Sequence, residues 1–231
     1  MKTDIIKLDE RLKAVASFVR QDTVLYDVGS DHAYLPSHLI SENRISFAYV
    51  CDIADGPLKR AYQTVISVGV QNKTKICKAD GLKGIEITYP CDVSVAGMGG
   101  ELICEIIDAK PELKNSQVRL ILQPMTKHEI LRKYLAENGF RFENELTVFE
   151  GKYYTVMVCS YDGVKRDLSP LEQLFGIDGI RSDDRVFEES VRNKLTTLKA
   201  ISNGKKSGGA DTSFEDEIIK QTEKMLNERG I

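Results

Sequence analysis

Two β-rich runs, residues 140–149 and 153–159, are separated only by Glu150-Gly151-Lys152. Parallel neighbours in one sheet need a crossover of a dozen or more residues, so this pair must form an antiparallel hairpin. Five shorter apolar runs precede it, at 24–27, 47–52, 75–80, 93–96 and 119–123. Their continuous apolar character suits strands buried on both faces. Segments long enough for crossover helices lie at 35–42, 56–68, 101–109 and 127–138. Alternation of this kind predicts an α/β fold with a doubly wound parallel sheet, here ending in the antiparallel hairpin.

An amphipathic helix is expected first, because Leu8, Leu12, Val15, Ala16 and Val19 recur at helical spacing, with Lys7, Asp9 and Arg11 opposite. Beyond about residue 161 the strand signals stop. Phe187, Val191, Leu195 and Leu198 form one helical stripe; Phe214, Ile218, Met225 and Leu226 form another. A flexible turn is expected at 203–209, and Thr212 with Glu215 fits a capping box for the second helix. The chain therefore divides into an α/β domain, 1–163, and a C-terminal helical hairpin, coiled-coil-like, 164–231. Among these 231 residues no apolar run is long enough to cross a membrane, and the first fifteen lack the apolar core of a secretory signal, so a cytoplasmic protein is expected. Five scattered cysteines, with no CxxC pair and no histidine at ligand spacing, read as buried free thiols rather than a metal site. A net charge of −3 provides no global attraction for nucleic acid, so any polyanion must meet local clusters.

In an open parallel sheet, ligands bind beyond the carboxyl ends of the strands, near the switch point. Four groups fall there: Asp27 to Tyr34, Asp52, Asp80-Gly81, and Ala96-Gly97-Met98-Gly99-Gly100. Gly29 lets the backbone turn and approach a ligand closely. Asp52 lies 23 residues after Gly29, close to the ~20 expected of an acid that binds a ribose diol, although a helix cap would also use it. Asp80-Gly81 suits an adenine edge or a plain turn. Asp31 stands where a dinucleotide-binding loop keeps its second glycine. It could cap the next helix, but Pro36 puts that cap near Leu35 and leaves Asp31 in the loop. A carboxylate there repels a pyrophosphate and favours a cationic cofactor.

The stretches Arg11-Leu12-x-Ala14-Val15-Ala16-Ser17, Asp27-Val28-Gly29-Ser30-Asp31-His32-Ala33-Tyr34-Leu35-Pro36, Val95-Ala96-Gly97-Met98-Gly99-Gly100 and Leu120-Ile121-Leu122-Gln123-Pro124 resemble those of the bacterial tRNA (adenine-N1)-methyltransferases that modify adenine 22, the TrmK family. The resemblance covers about residues 5–163. It implies a Rossmann-like class I methyltransferase sheet, S-adenosyl-L-methionine (SAM) as cofactor, tRNA as partner and a helical C-terminal domain. By position it assigns cofactor contacts to Gly29, Ser30, Asp31, His32, Asp52, Asp80, Gly81 and the loop Ala96, Gly97, Met98 and Gly99, and Asp27 at the end of the first strand is a cofactor-binding candidate beside them. Residues 176–184 carry no pattern that transfers.

On this reading Asp31 stands nearest the chemistry, Tyr34 either stacks on the target base or packs within the loop, His32 orients backbone or packs on the cofactor rather than acting as a general base, and Gln123 and Pro124 line the acceptor side. Candidate tRNA contacts are Lys7, Arg11 and Arg20 around the first helix, Lys127, Arg132 and Lys133 after the fifth strand, and Lys205-Lys206 in the tail, each against the alternative of a solvated helix face. The other classes in play are a nicotinamide-dependent oxidoreductase, a noncatalytic RNA-binding module, and a methyltransferase for another RNA, a protein or a small molecule.

Overall fold

The structure is a computed structural model and describes residues 6–176 and 184–228. It divides into two compact units, 1–167 and 168–231. The boundary falls four residues beyond the one expected, because Arg166 is fastened to the first unit by its backbone bond to the Ala136 carbonyl and its ion pair with Asp162 at 2.6 Å.

The first unit runs α1 (Glu10–Phe18), β1 (Thr23–Val28), α2 (Tyr34–Ser41), β2 (Ile45–Asp52), α3 (Asp55–Val68), β3 (Thr74–Lys78), β4 (Cys91–Gly99), α4 (Gly100–Asp108), β5 (Val118–Thr126), α5 (His128–Glu137), β6 (Phe140–Glu150) and β7 (Lys152–Tyr161). The strands form one sheet in the order β3-β2-β1-β4-β5-β7-β6. The first five pair in parallel, and β7 enters antiparallel between β5 and β6. The chain reverses direction across the sheet between β3 and β4, so the switch point lies between the neighbours β1 and β4.

Alternation along the strands divides the core in two. Tyr26, Val93, Leu120 and Leu122 pack on the face shared with α4 and α5, whereas Leu25, Ala48, Val50 and Ile121 pack on the face shared with α1, α2 and α3. At about 25 cal/mol per Å² of apolar surface, a sheet covered on both faces is the chief stabilising feature of a unit this size. The link from β3 to β4 contains no helix. It is held instead by Leu82 and Ile87, which are buried, and by the Tyr26 hydroxyl, which donates to the Glu86 carbonyl at 3.1 Å and accepts the Thr88 N–H at 2.9 Å.

The cysteines in the described structure are free thiols, mostly buried; burial pushes the Cys91 and Cys104 thiols up to about 12. Among the described residues no helix is long and apolar enough to cross a membrane.

The second unit comprises α6 (Pro170–Phe175), α7 (Arg185–Ser207) and α8 (Ser213–Glu228). Phe175, Phe187, Val191, Leu195 and Leu226 make its core. Three expectations differ here. The segment expected as a turn is helical to Ser207, since Lys205 and Lys206 are satisfied by Glu215 at 2.5 Å and Asp216 at 2.8 Å on α8; the reversal comes at Gly208 and Gly209. Thr212 does not close a box with Glu215: its hydroxyl donates to Asp216, while Glu215 faces Lys205. Phe214 is exposed rather than part of the stripe. A capping box does occur, at Ser169 and Glu172 on α6. Of residues 176–184, positions 177–183 lie outside the described residues.

Candidate active site

Parity and register build the site. Asp27 on β1 pairs in register with Ser94 on β4, and Ala96 pairs with Gln123 on β5. Asp27, Ser94 and Gln123 point to the α1 side of the sheet, extending the apolar rows of Leu25 and Ile121 with polar groups near the strand ends. The row straddles the switch point. Beside it opens a cleft of about 350 Å³ lined by residues 27–35, by Ala96 and Gly97, and by Asp9, Arg11 and Leu12 at the start of α1.

Each polar group in the row is partnered. The Ser94 hydroxyl donates to Asp27 Oδ1 at 2.6 Å. Burial pushes the Asp27 carboxyl above its usual range, opposed by hydrogen bonds from Ser30 and Ser94 and by the Arg11 charge. Gln123 is fully buried. Its Oε1 accepts from the Gly97 N–H at 3.2 Å and from Arg11 Nη1 at 3.1 Å, and its Nε2 donates to the Pro124 carbonyl at 2.8 Å. Gln123 thus ties the β4 loop to α1 and aims the guanidinium at the cleft. The Arg11 side chain also lies 5.9 Å from the Tyr154 ring centroid and 3.8 Å from Asp9. It belongs to the cleft and not to a solvated helix face.

The first loop turns at Gly29, whose N–H bonds to the Cys51 carbonyl and whose φ is +74°. A Cβ there would come within 2.0 Å of the Met98 methyl carbon, the far end of a side chain that can swing aside, so it is the positive φ that calls for glycine at this turn. α2 begins two residues earlier than Pro36 suggested, at Tyr34 after a cap at Ala33 in the left-handed region, with Pro36 inside its first turn. Asp31 is accordingly a loop residue. It has partners within the chain: Arg60 of α3 donates to Oδ1 through Nε at 2.9 Å and also through Nη2, and His32 Nε2 stands 3.5 Å from Oδ2. The His32 ring stacks on Tyr34 with centroids 4.9 Å apart and planes 15° apart.

Asp52, Asp80 and Gly81 are not among the residues lining the cleft. They stand at the next strand ends, joined by the Ala79 N–H to Asp52 carbonyl bond. Asp52 Oδ1 accepts the Ala54 N–H at 2.8 Å, the cap-like use weighed against ribose binding. Asp80 pairs with Lys83 at 2.5 Å, and Gly81 lies over Ile106.

Two proposed tRNA cations are committed to the fold, and three others make exposed surface pairs. Arg20 binds the buried Asp92 at 2.6 Å and donates to the carbonyls of Cys91 and Gln117. Arg132 is buried against Glu145 at 2.7 Å. Lys133 pairs with Glu137 at 3.8 Å. Lys205 and Lys206 join α7 to α8. Lys7 and Lys127 are exposed. Ser94, Arg60 and Tyr154 had not been singled out. Ser94 is the legible one, a hydroxyl in an apolar strand. Arg60 required the long-range contact between the first loop and α3. Among the described residues no group of histidine, cysteine or acids is arranged to hold a metal ion.

A doubly wound sheet closed by an antiparallel hairpin, with a carboxylate-lined cleft at its switch point, defines a Rossmann-like methyltransferase. A family model described as "Methyltransferase domain" matches residues 8–157. The tRNA (adenine(22)-N(1))-methyltransferase of Bacillus subtilis is 34% identical over 224 residues, covering 94% of this chain and 92% of that protein. Among solved structures, a proposed tRNA (m1A22) methyltransferase of Streptococcus pneumoniae in complex with S-adenosyl-L-methionine superposes with TM-score 0.83 at 30% identity, covering 95% of this chain and all of that one. The TrmK of M. capricolum in complex with S-adenosyl-homocysteine gives 0.77 at 25% identity, covering 95% of this chain and 96% of that one. The chain belongs to the tRNA (adenine(22)-N(1))-methyltransferase family.

Proposed function

We propose that this protein is a SAM-dependent methyltransferase acting on N1 of adenine 22 in tRNA. The observation that carries the reading is the charge pattern of the cleft at the β1–β4 switch point in a chain of this family. SAM carries a carboxylate, an ammonium and a sulfonium, and the cleft offers Arg11 for the first, Asp27 for the second and Asp31 for the third. The Gly29 turn brings bare backbone to the same place. The residues present fit the cofactor. Arg11, fixed by Gln123, is matched to the cofactor's carboxylate in preference to tRNA. Asp52 holds the ribose, with Asp80 and Gly81 at the adenine end.

Bound SAM supplies a methyl group on a positively charged sulfur, and the S–C bond breaks with both electrons staying on sulfur. Adenine N1 attacks with an in-plane lone pair and carries no proton at neutral pH, so the protein needs no general base, and the transfer calls for no metal. Its contribution is alignment and exclusion of water. N1 lies on the Watson–Crick edge, so the base must be unpaired or extruded before it enters. The stacked His32 and Tyr34 rings provide a flat surface at the cleft for that base. Asp31 offers a carboxylate where positive charge passes from sulfur to the purine. Gln123 positions the Ala96–Gly99 loop through the Gly97 N–H, with Pro124 beside it. The tRNA is a cytoplasmic substrate, and the protein is assigned to the cytoplasm with it.

The test is methyl transfer from SAM to bulk tRNA of cells lacking the gene, followed by nucleoside mass spectrometry. Accumulation of 1-methyladenosine is expected; methyl on another nucleoside, or none, overturns the assignment.

A further inference from the structure

The contact between Asp31 and Arg60 has no place in the mechanism above. Asp31 lines the cleft and Arg60 does not. Two guanidinium nitrogens of Arg60 donate to one carboxylate oxygen, so the pair is oriented, yet both side chains are about half exposed, 44% for Arg60 and 56% for Asp31. An exposed pair of this kind is weak and exchangeable. Arg60 sits in the second turn of α3, and its Nη1 passes within 3.7 Å of the Cβ position of Gly56 in the first turn. The guanidinium is therefore held at this end of α3 largely by Asp31.

We propose that Arg60 is a positioning and specificity-determining residue that makes the Asp31 carboxylate a sensor of the charge on the cofactor's sulfur. The inference rests on the reading that SAM occupies the first-loop cleft. Asp31 meets a full positive charge when the sulfur is a sulfonium, and Arg60 is then in competition for it. After transfer the methyl group is on N1, the electron pair has returned to sulfur, and the product S-adenosylhomocysteine presents a neutral thioether. Once the cationic methylated base has left with the tRNA, Asp31 faces a neutral sulfur, and it returns to Arg60. The pair thus sets how strongly the site prefers sulfonium over thioether, because SAM must draw the carboxylate from Arg60 whereas the product leaves the pair intact. Arg60 also keeps the loop neutral between turnovers, so that the negative field of Asp31 does not oppose an approaching polyanion.

Isothermal titration calorimetry of the full chain with SAM and with S-adenosylhomocysteine tests this directly, on wild type, Arg60→Gln and Arg60→Lys. Removing the charge in Arg60→Gln leaves Asp31 to the sulfonium alone. The affinity ratio of SAM to S-adenosylhomocysteine should rise by roughly fivefold, the scale of one exposed ion pair. Arg60→Lys, which keeps the charge, should hold the ratio within about twofold of wild type, and raising the salt should shrink the Arg60→Gln effect. An equal change for both ligands, no change, or a fall in the ratio overturns the proposal while leaving the cofactor assignment standing. A folded wild type that binds neither ligand overturns the cofactor assignment itself and this inference with it.

Discussion

Asp27 shows how one residue can serve the site at the expense of the fold. Burial raises its carboxyl above the ordinary aspartate value. A carboxyl raised in the folded state contributes stability that is present below the unfolded pKa and is lost as pH rises through the folded one. At pH 7 the native state therefore carries a penalty that a neutral isostere avoids. Asp27→Asn should raise the melting temperature at pH 7 by a few degrees, with the gain narrowing as pH falls toward 4, and should weaken SAM binding at least tenfold. Thermal scans across pH with parallel titration check both halves, and a variant that melts below wild type at pH 7 refutes the burial argument. Asp27 and Ser94 were legible as polar residues in apolar strands, and their register made them partners. Arg60 was not, because nothing in local spacing brings residue 31 to residue 60. That omission mattered: the sequence places Asp31 as a loop carboxylate that favours a cationic cofactor, and the structure adds a guanidinium of the chain itself.

At the scale of elements, the crossover helices begin and end within a residue or two of the sequence limits, since the period of apolar residues and the breaks between runs are local signals. The helix-free β3–β4 link and the short α6 were less visible. α6 has too few turns for periodicity to register, although Ser169-Pro170-Leu171-Glu172 has the spacing of a capping box. The junction of α4 and α5 is set by Gly100: a Cβ there would lie 2.3 Å from the Lys127 carbonyl oxygen. Backbone cannot yield as a side chain can. Gly100→Ala should cost about 1–3 kcal/mol in denaturant unfolding and displace the Ala96–Gly99 loop, so that kcat falls even where tRNA still binds. The buried pair of α5 with β6 makes a contrasting case. Arg132→Met removes the guanidinium from the buried Glu145 carboxylate and should cost about 3 kcal/mol or more. In whatever fraction remains folded, the salt dependence of tRNA binding should match wild type. A flatter salt slope would restore Arg132 to the RNA surface.

For the whole molecule, the fold and cofactor edge could be read from the sequence because both follow from the order of strands and from residues at strand ends. The tRNA surface could not, because a cation's sequence position says nothing about whether an acid already faces it. At a net charge of −3 the protein must bind its polyanion through a few unneutralised groups. The structure narrows the list by fixing Arg20 on the buried Asp92, burying Arg132 and drawing Arg11 into the cleft, while Lys133, Lys205 and Lys206 keep half-exposed, exchangeable pairs. Lys127 stands out among those left. It is exposed, it adopts a left-handed conformation with φ +58° at the start of α5, and its backbone packs against Gly100 beside the acceptor loop. A phosphate held there would lie close to a base entering the cleft. Lys127→Gln should therefore reduce the slope of log Kd for tRNA against log salt by roughly 0.7–0.9, one phosphate contact, and leave SAM affinity unchanged. Lys7→Gln, at the far end of α1 from Val19, measures whether the track extends past that helix. If each variant keeps the wild-type slope, the polyanion approaches over the helical unit instead, and exposed cations such as Lys194 become the next to neutralise.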